Sequence, residues 1–233
     1  MHCHAADSLF RGLVENLPLE EWLGRVWIAE KAILTPETTY LGSVLGLAEN
    51  LLSGSTTVMD MFWYPDETVK AAKDLGMRVS TGGIFFDLPG IGGRSQEDYI
   101  SEADNFYQNH SSDDSVIPAI LPHGSYTVSP QNLSEAKSIA DQYGILFCTH
   151  AAETQAEQND IKTRYDNSVI RHLDKYKLLG ETSVLAHCVH LDDTEISLLA
   201  QSKTNVVLNP MSNLKLGSGI APVKAMHRAC LLY

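Results

Sequence analysis

The sequence has no long apolar run, few cysteines and a deficit of basic residues, and each shortage argues against a class of protein. No stretch approaches the ~20 apolar residues of a membrane helix, and no basic region followed by an apolar segment opens the chain. We therefore expect a cytoplasmic protein without membrane contact. The four cysteines form no CxxC pair, which argues against a disulfide framework or a thiolate zinc site. The 17 basic and 29 acidic residues give a net charge of −12, which disfavours nucleic acid as a partner.

The 233 residues, 44% of them hydrophobic, are enough for one sizeable core, so we predict a single domain over residues 1–233. Strand-like and helix-like patterns alternate along it. The predicted strands are Ser55–Trp63, Arg78–Phe86, Val116–Leu121, Ile145–His150, Ser183–Val189 and Asn205–Leu208. The predicted helices run from Pro36 towards Gly54 with an apolar stripe from Leu41 to Leu52, from Pro65 towards Gly76, and over Gln96–Tyr107, Pro130–Tyr143, Glu153–Leu179 and Asp193–Ala200.

This alternation predicts an α/β fold with a parallel sheet, either a barrel or an open doubly wound sheet. No glycine pattern of the dinucleotide-binding or P-loop type follows a strand. Polar residues capable of chemistry instead stand at the carboxyl ends of five predicted strands: Asp60, His123, His150, His187 and Asn209. Reactive groups at many strand ends are typical of a (β/α)8 barrel, which is the fold class we predict.

Histidines supply the first candidate site. His2 and His4 have the spacing that places both imidazoles on one face of a strand, where they can share a metal ion. Alone, this pair is equally compatible with a solvated tail. His150 ends a later strand and Glu153 follows three residues on, which adds a third ligand and a group able to carry a proton.

Two more histidines extend the pattern. His187 ends the strand after that of His150, and His123 ends the strand before it. Each histidine alone is compatible with ordinary packing. Five of them at or next to the ends of four strands are better explained by a common site.

Several strings of residues then resemble the amidohydrolase superfamily, in the group of methylthioadenosine/S-adenosylhomocysteine deaminases and chlorohydrolases. They occur in the same order as in that group, from His2 to about Val223. The strings are His2 to Leu23 with Leu9-Phe10-Arg11-Gly12, Pro122-His123 with Tyr126-Thr127, His150 to Thr154, Ala186 to Leu191, and Asn209 to Leu216.

The resemblance implies a metal-dependent hydrolase that removes the amino group of a purine-like or related heterocycle. His2, His4 and His150 would bind a divalent metal, zinc or alternatively iron. Glu153 would carry a proton from water to the leaving amine, and His187 would position that water.

The same resemblance gives three residues to the substrate. His123 would contact the ring of a small heterocyclic molecule. Glu30 and Arg94 stand where the deaminases hold ribose hydroxyls and the substrate's tail, although a solvated surface carboxylate and arginine would fit the local sequence as well.

The chain also departs from the group. The Gly-Thr-Asp-like turn that ends the eighth strand and binds the metal does not occur in it, and only Met1 precedes His2. We therefore expect an incomplete (β/α)8 TIM-type barrel with about six complete strands, a truncated first strand, no eighth strand, weak metal retention and impaired activity. Homo-oligomerisation or a complementing chain could complete such a barrel. Two alternatives stay open. The same metal site could remove chloride or an alkylamine by hydrolysis, or the chain could be a non-catalytic remnant.

Overall fold

The computed structural model describes residues 2–87 and 93–231. Contacts within the chain divide it into two compact units, Met1–Leu121 and Pro122–Tyr233. Both units alternate strands with helices, as the sequence predicts. Within residues 2–87 and 93–231, no helix combines the length and the apolar character that a membrane crossing requires.

The first unit contains four strands that follow chain order. The pairs β1–β2 and β2–β3 are parallel, with His2 opposite Met59 and Thr57 opposite Arg78. Its strands are β1 (His2–Cys3), β2 (Thr57–Asp60), β3 (Arg78–Phe85) and β4 (Val116–Pro122), the last residue of β4 being the first of the second unit. Its helices are a 3₁₀ helix (Ala5–Phe10), α1 (Leu19–Ile33), α2 (Pro36–Leu52), α3 (Pro65–Asp74) and α4 (Gln96–His110).

Helix α2 begins where the sequence predicts, because Thr35 accepts a hydrogen bond from the Thr38 backbone and Pro36 takes the first helical position. The predicted apolar stripe does not form the buried face of this helix, since Leu41 and Leu52 are 54% and 89% exposed. The buried face carries small residues in their place: Thr39, Gly42, Ser43 and Gly46, with Leu47. These small residues allow the backbone of the 3₁₀ helix, and with it the turn after β1, to approach α2 closely.

The second unit continues the alternation with three parallel strands, β5 to β7, in chain order. Phe147 of β5 lies opposite Ser183 of β6, and Val184 lies opposite Asn205 of β7. The strands are β5 (Leu146–Ala151), β6 (Ser183–His187) and β7 (Asn205–Val207). The helices are α5 (Pro130–Tyr143), α6 (Gln155–Tyr165), α7 (Val169–Lys175), α8 (Asp193–Gln201), α9 (Pro210–Lys215) and α10 (Val223–Arg228).

The remaining differences from the predicted elements have local causes. The single helix predicted over Glu153–Leu179 is two helices, because Asp166 adopts a left-handed conformation (φ 52°) that ends α6. Strand β2 covers only the centre of the predicted Ser55–Trp63 segment, since Pro65 starts α3 soon after it. Helices α1, α9 and α10 were not predicted.

The contact between α2 and the 3₁₀ helix generates a stability prediction. A Cβ at Gly46 would lie 2.3 Å from Ala5 O and 2.8 Å from Ser8 Oγ, so Gly46→Ala forces two backbone segments apart. Overpacking of this kind costs about 1–3 kcal/mol of unfolding free energy, measured by urea denaturation. Gly24→Ala in α1 is the matched control, because a Cβ there meets no atom within 4 Å. It should stabilise the chain by up to ~1 kcal/mol, and equal effects of both changes would contradict close packing at Gly46.

Candidate active site

In the first unit, β1 brings His2 and His4 together as predicted. His2 is buried, and the two ring centroids lie 5.0 Å apart at 86°. Nδ1 of His4 donates a hydrogen bond to the backbone oxygen of Met61 at 2.6 Å. The proton is therefore on Nδ1, and Nε2 carries the lone pair. Burial lowers the pKa of His4, which favours the neutral imidazole that a metal ligand must be.

Asp60 fixes the turn that carries His4. Its Oδ1 accepts hydrogen bonds from the Ala5 backbone N–H at 2.6 Å and from Cys3 Sγ at 3.6 Å, while Oδ2 accepts from Thr68 Oγ1 at 3.1 Å. Desolvation raises the pKa of this fully buried carboxyl. The sequence predicts only that Asp60 is a polar residue at a strand end, whereas in the structure it connects β1, β2 and α3.

In the second unit, three histidines line up at neighbouring strand ends. The ring of His150 has its centroid 4.8 Å from that of His123 and 5.3 Å from that of His187. Nδ1 of His150 donates to the backbone oxygen of His123 at 2.7 Å, so its Nε2 also carries the lone pair. His123 in turn donates from Nδ1 to Thr127 Oγ1 at 2.8 Å, since that hydroxyl gives its own proton to Gly124 O. All three side chains are buried.

Glu153 and His187 form a close buried pair. Glu153 Oε1 lies 3.3 Å from Nδ1 of His187, and both side chains are at most 5% exposed. The backbone N–H of Glu153 donates to Glu157 Oε2 at 2.8 Å. A buried carboxylate close to an imidazole at the carboxyl end of a strand is a suitable arrangement for moving a proton.

His187 and Cys188 both have left-handed backbones, with φ of 75° and 47°. This conformation is costly for residues other than glycine and tends to occur at functional sites. Asn213 supports it, because its Oδ1 accepts a hydrogen bond from Nδ1 of His187 at 2.7 Å. Sequence reasoning missed this residue, although it lies in the Asn209 to Leu216 string. Its burial, at 2% exposed, was the missing information.

Glu30 and Arg94, which we expect at the ribose hydroxyls and the tail of the substrate, both contact Trp63, an aromatic side chain that the sequence did not single out. Glu30 is 5% exposed, and its Oε2 accepts a hydrogen bond from Nε1 of Trp63 at 3.0 Å. The guanidinium of Arg94 lies 5.8 Å from the Trp63 ring and pairs with Glu102 at 2.7 Å. Burial raises the pKa of Glu30. The alternative of a solvated surface carboxylate is therefore wrong for Glu30.

Comparison with known proteins identifies relatives of this chain. The model of the amidohydrolase family matches residues 1–229. A 5-methylthioadenosine/S-adenosylhomocysteine deaminase of Aquifex aeolicus is 38% identical over 224 residues, which are 96% of this chain and 52% of that protein. The chain thus spans about half the length of the curated relatives it matches.

Solved structures give the same result for the fold. An adenosine deaminase from Xanthomonas campestris with bound zinc superposes with a TM-score of 0.95 and 32% identity, over 99% of this chain and 53% of the other. Guanine deaminase of Escherichia coli superposes with a TM-score of 0.89 and 25% identity, over 98% and 55%. The predicted fold class, an incomplete TIM-type barrel, is confirmed.

The bond between His187 and Asn213 makes a testable prediction. Asn213→Leu keeps the side-chain size but removes the acceptor of a buried N–H, so the free energy of unfolding should fall by about 1–3 kcal/mol. The ¹⁵N resonances of the His187 ring should move as well, because Nδ1 loses its 2.7 Å partner. Asn105→Leu, at an exposed position of α4, should change neither quantity appreciably. Unmoved His187 resonances in Asn213→Leu would show that this amide does not orient the ring.

Proposed function

The chain belongs to the amidohydrolase family, and from that premise we propose that it is a metal-dependent hydrolase of carbon–nitrogen bonds other than peptide bonds. The parent reaction is the hydrolytic deamination of a purine-like or related heterocycle, which yields ammonia and a ring carbonyl. The pairing of Glu153 with His187 beside His150 is the observation that supports this reaction best. The named relatives, which are deaminases of adenosine derivatives and of guanine, support it independently.

We assign the metal to His2, His4 and His150, each of which offers one imidazole nitrogen. The chemistry of this donor set fits a divalent transition metal. His4 and His150 both donate from Nδ1 to a backbone carbonyl, and metal-binding histidines are commonly oriented in this way. The bound cation, zinc in our proposal with iron as the alternative, supplies Lewis acidity that makes water a nucleophile near neutral pH.

Glu153 holds the proton in transit. In this proposal one of its carboxylate oxygens accepts a proton from the attacking water and later delivers it to the departing amine nitrogen. His187 keeps the water oriented, and its bond to Asn213 fixes the ring while it does so. Burial of the pair keeps bulk water from competing for the proton.

The substrate is assigned to three further residues. We assign His123 to the heterocyclic ring, because it follows β4 directly, its ring lies 4.8 Å from that of His150, and its Nδ1 bond to Thr127 fixes the orientation of the imidazole. We assign Glu30 and Arg94 to the ribose hydroxyls and the tail of the substrate, and both contact Trp63. We expect the partner of this site to be a small molecule.

Zinc titration with a competing chelator tests the metal assignment. If one ion is shared, His4→Gln and His150→Gln should each weaken zinc binding at the same single site by more than about tenfold. His227→Gln makes the same chemical change at an exposed position and should leave affinity unchanged. Retention of one strong site in either ligand variant would contradict a shared ion.

The assignment of Glu153 is tested by Glu153→Gln in the zinc-loaded chain. Zinc affinity should stay within about threefold, because this carboxylate is a proton carrier and not a ligand in the proposal. The rate of ammonia release from adenine-like or guanine-like compounds, even if low, should fall by about 10²-fold or more. Equal rates for the two proteins would show that another group carries the proton.

A further inference from the structure

Glu157 is a second buried carboxylate of the second unit, four residues after Glu153. It occupies the third position of α6, after the N-cap residue Thr154. A glutamate at this position commonly completes a capping box by accepting the backbone N–H of the N-cap residue. Oε2 of Glu157 reaches one residue further back and accepts the backbone N–H of Glu153 at 2.8 Å. This bond therefore holds the peptide of the residue to which we assign the proton.

Helix α8 shows how an ordinary capping glutamate behaves in this fold. Glu195 also occupies the third position of its helix, and it is 3% exposed where Glu157 is 4% exposed. Its Oε2 accepts the N–H of the N-cap residue Asp192 at 2.9 Å, and Asp192 accepts the Glu195 N–H in return. Helix capping thus accounts for the contact of Glu195, whereas the contact of Glu157 with Glu153 needs another explanation.

The other oxygen of Glu157 binds the segment that follows β4. Oε1 accepts a hydrogen bond from Oγ of Ser125 at 3.3 Å, and Ser125 is buried. Two residues earlier, the backbone oxygen of His123 accepts both the backbone N–H and the Nδ1 proton of His150. One buried carboxylate therefore joins the turn that carries Glu153 to the segment that carries His123.

The peptide that Glu157 binds belongs to a strained turn. Ala152 has a left-handed backbone with φ of 52°, and its carbonyl oxygen accepts the N–H of Val189 at 2.9 Å. A residue in this conformation keeps it only while the surrounding contacts hold it there. Loss of the bond to Glu157 would let the peptide between Ala152 and Glu153 rotate. That rotation would move the Glu153 carboxylate from its place 3.3 Å from Nδ1 of His187.

We propose that Glu157 is a positioning residue for Glu153, because it fixes the Ala152–Glu153 peptide and so sets the Glu153 carboxylate beside His187. The inference rests on the proposed function, since it deepens the proton transfer assigned to Glu153. Glu157 holds the geometry, and no proton passes through it. The role requires a hydrogen-bond acceptor of the right length and does not require a negative charge.

Two substitutions at Glu157 separate the acceptor from the charge. Glu157→Gln keeps an oxygen for the Glu153 N–H and gains an amide N–H that Oγ of Ser125 can accept, so it should resemble the wild-type chain. Glu157→Leu removes the acceptor. Hydrogen exchange of the Glu153 amide should then be about tenfold faster or more, and the ¹⁵N resonances of the His187 ring should shift.

Unchanged exchange and unchanged His187 resonances in Glu157→Leu would overturn the proposal, and so would equal changes in Glu157→Gln. Glu157→Asp provides the same test in a chain that keeps the charge. Its carboxylate is shorter by one methylene and cannot reach the Glu153 N–H from the same backbone position. It should therefore show the changes expected of Glu157→Leu, and it decides the matter if Glu157→Leu does not fold.

Two controls distinguish positioning from helix capping. The Gln158 amide donates to the Thr154 backbone oxygen in the first turn of α6, and its exchange should stay at the wild-type rate in Glu157→Leu. Glu195→Leu removes a capping carboxylate of equal burial, so it should lower the urea midpoint without changing the exchange of the Glu153 amide. Faster exchange at Gln158 to the same degree as at Glu153 would show that Glu157 is a helix cap only.

Ammonia release from adenine-like compounds by the zinc-loaded chain gives a further readout. Glu157→Leu should lower kcat by about tenfold or more and leave KM within about threefold, because only the proton carrier is misplaced. A loss of kcat/KM that arises from KM would contradict the proposal. A wild-type chain that releases no ammonia would count against the proposed function alone, since the exchange and resonance measurements decide the positioning of Glu153 without turnover.

Discussion

Two imidazoles in this protein donate their Nδ1 protons to backbone carbonyls, His4 to Met61 at 2.6 Å and His150 to His123 at 2.7 Å. The rest of the proposed site depends on these bonds, since each fixes a tautomer and a ring direction through the main chain of a neighbouring strand or loop. A carbonyl at a strand end cannot move without disturbing the sheet, so the two Nε2 lone pairs are oriented before any ligand arrives. The parallel fold thus supplies orientation, and the side chains supply the chemistry.

The backbone around Glu153 is strained. Ala152, His187 and Cys188 all have positive φ values, and each such residue costs of order 1 kcal/mol or more. The surrounding hydrogen bonds maintain this geometry: the backbone N–H groups of Cys188 and Val189 donate to Ala151 O and Ala152 O. With ordinary strand geometry the backbone would stay extended at His187, whereas the left-handed turn places the His187 ring beside the carboxylate. We interpret the strain as a consequence of this placement.

The sequence predicted most of the fold, because strand ends, helix starts and the order of histidines follow from local patterns. His123, His150 and His187 lie together since parallel strands place their carboxyl ends at one edge. Two hydrogen bonds were not predictable in this way, because no local pattern connects their partners. Asn213 and His187 are 26 positions apart in the sequence, and Trp63 and Glu30 are 33 positions apart. The predicted buried face of α2 was wrong for a related reason, since small residues packed against the 3₁₀ helix outweigh an apolar stripe.

Burial of carboxyl groups near His4 has a thermodynamic consequence. Desolvation raises the pKa of Asp7, Glu30 and Asp60 above their unfolded values. For a raised carboxyl pKa, the stabilisation is complete below the unfolded value, near ~4, and is lost as the pH rises through the folded value. At neutral pH these groups therefore oppose folding compared with apolar residues of similar size. Their hydrogen bonds to the Ala5 backbone, Thr68 and Trp63 offset part of this loss of folding free energy. We expect such a remaining cost for carboxyl groups that are retained because a binding site needs them.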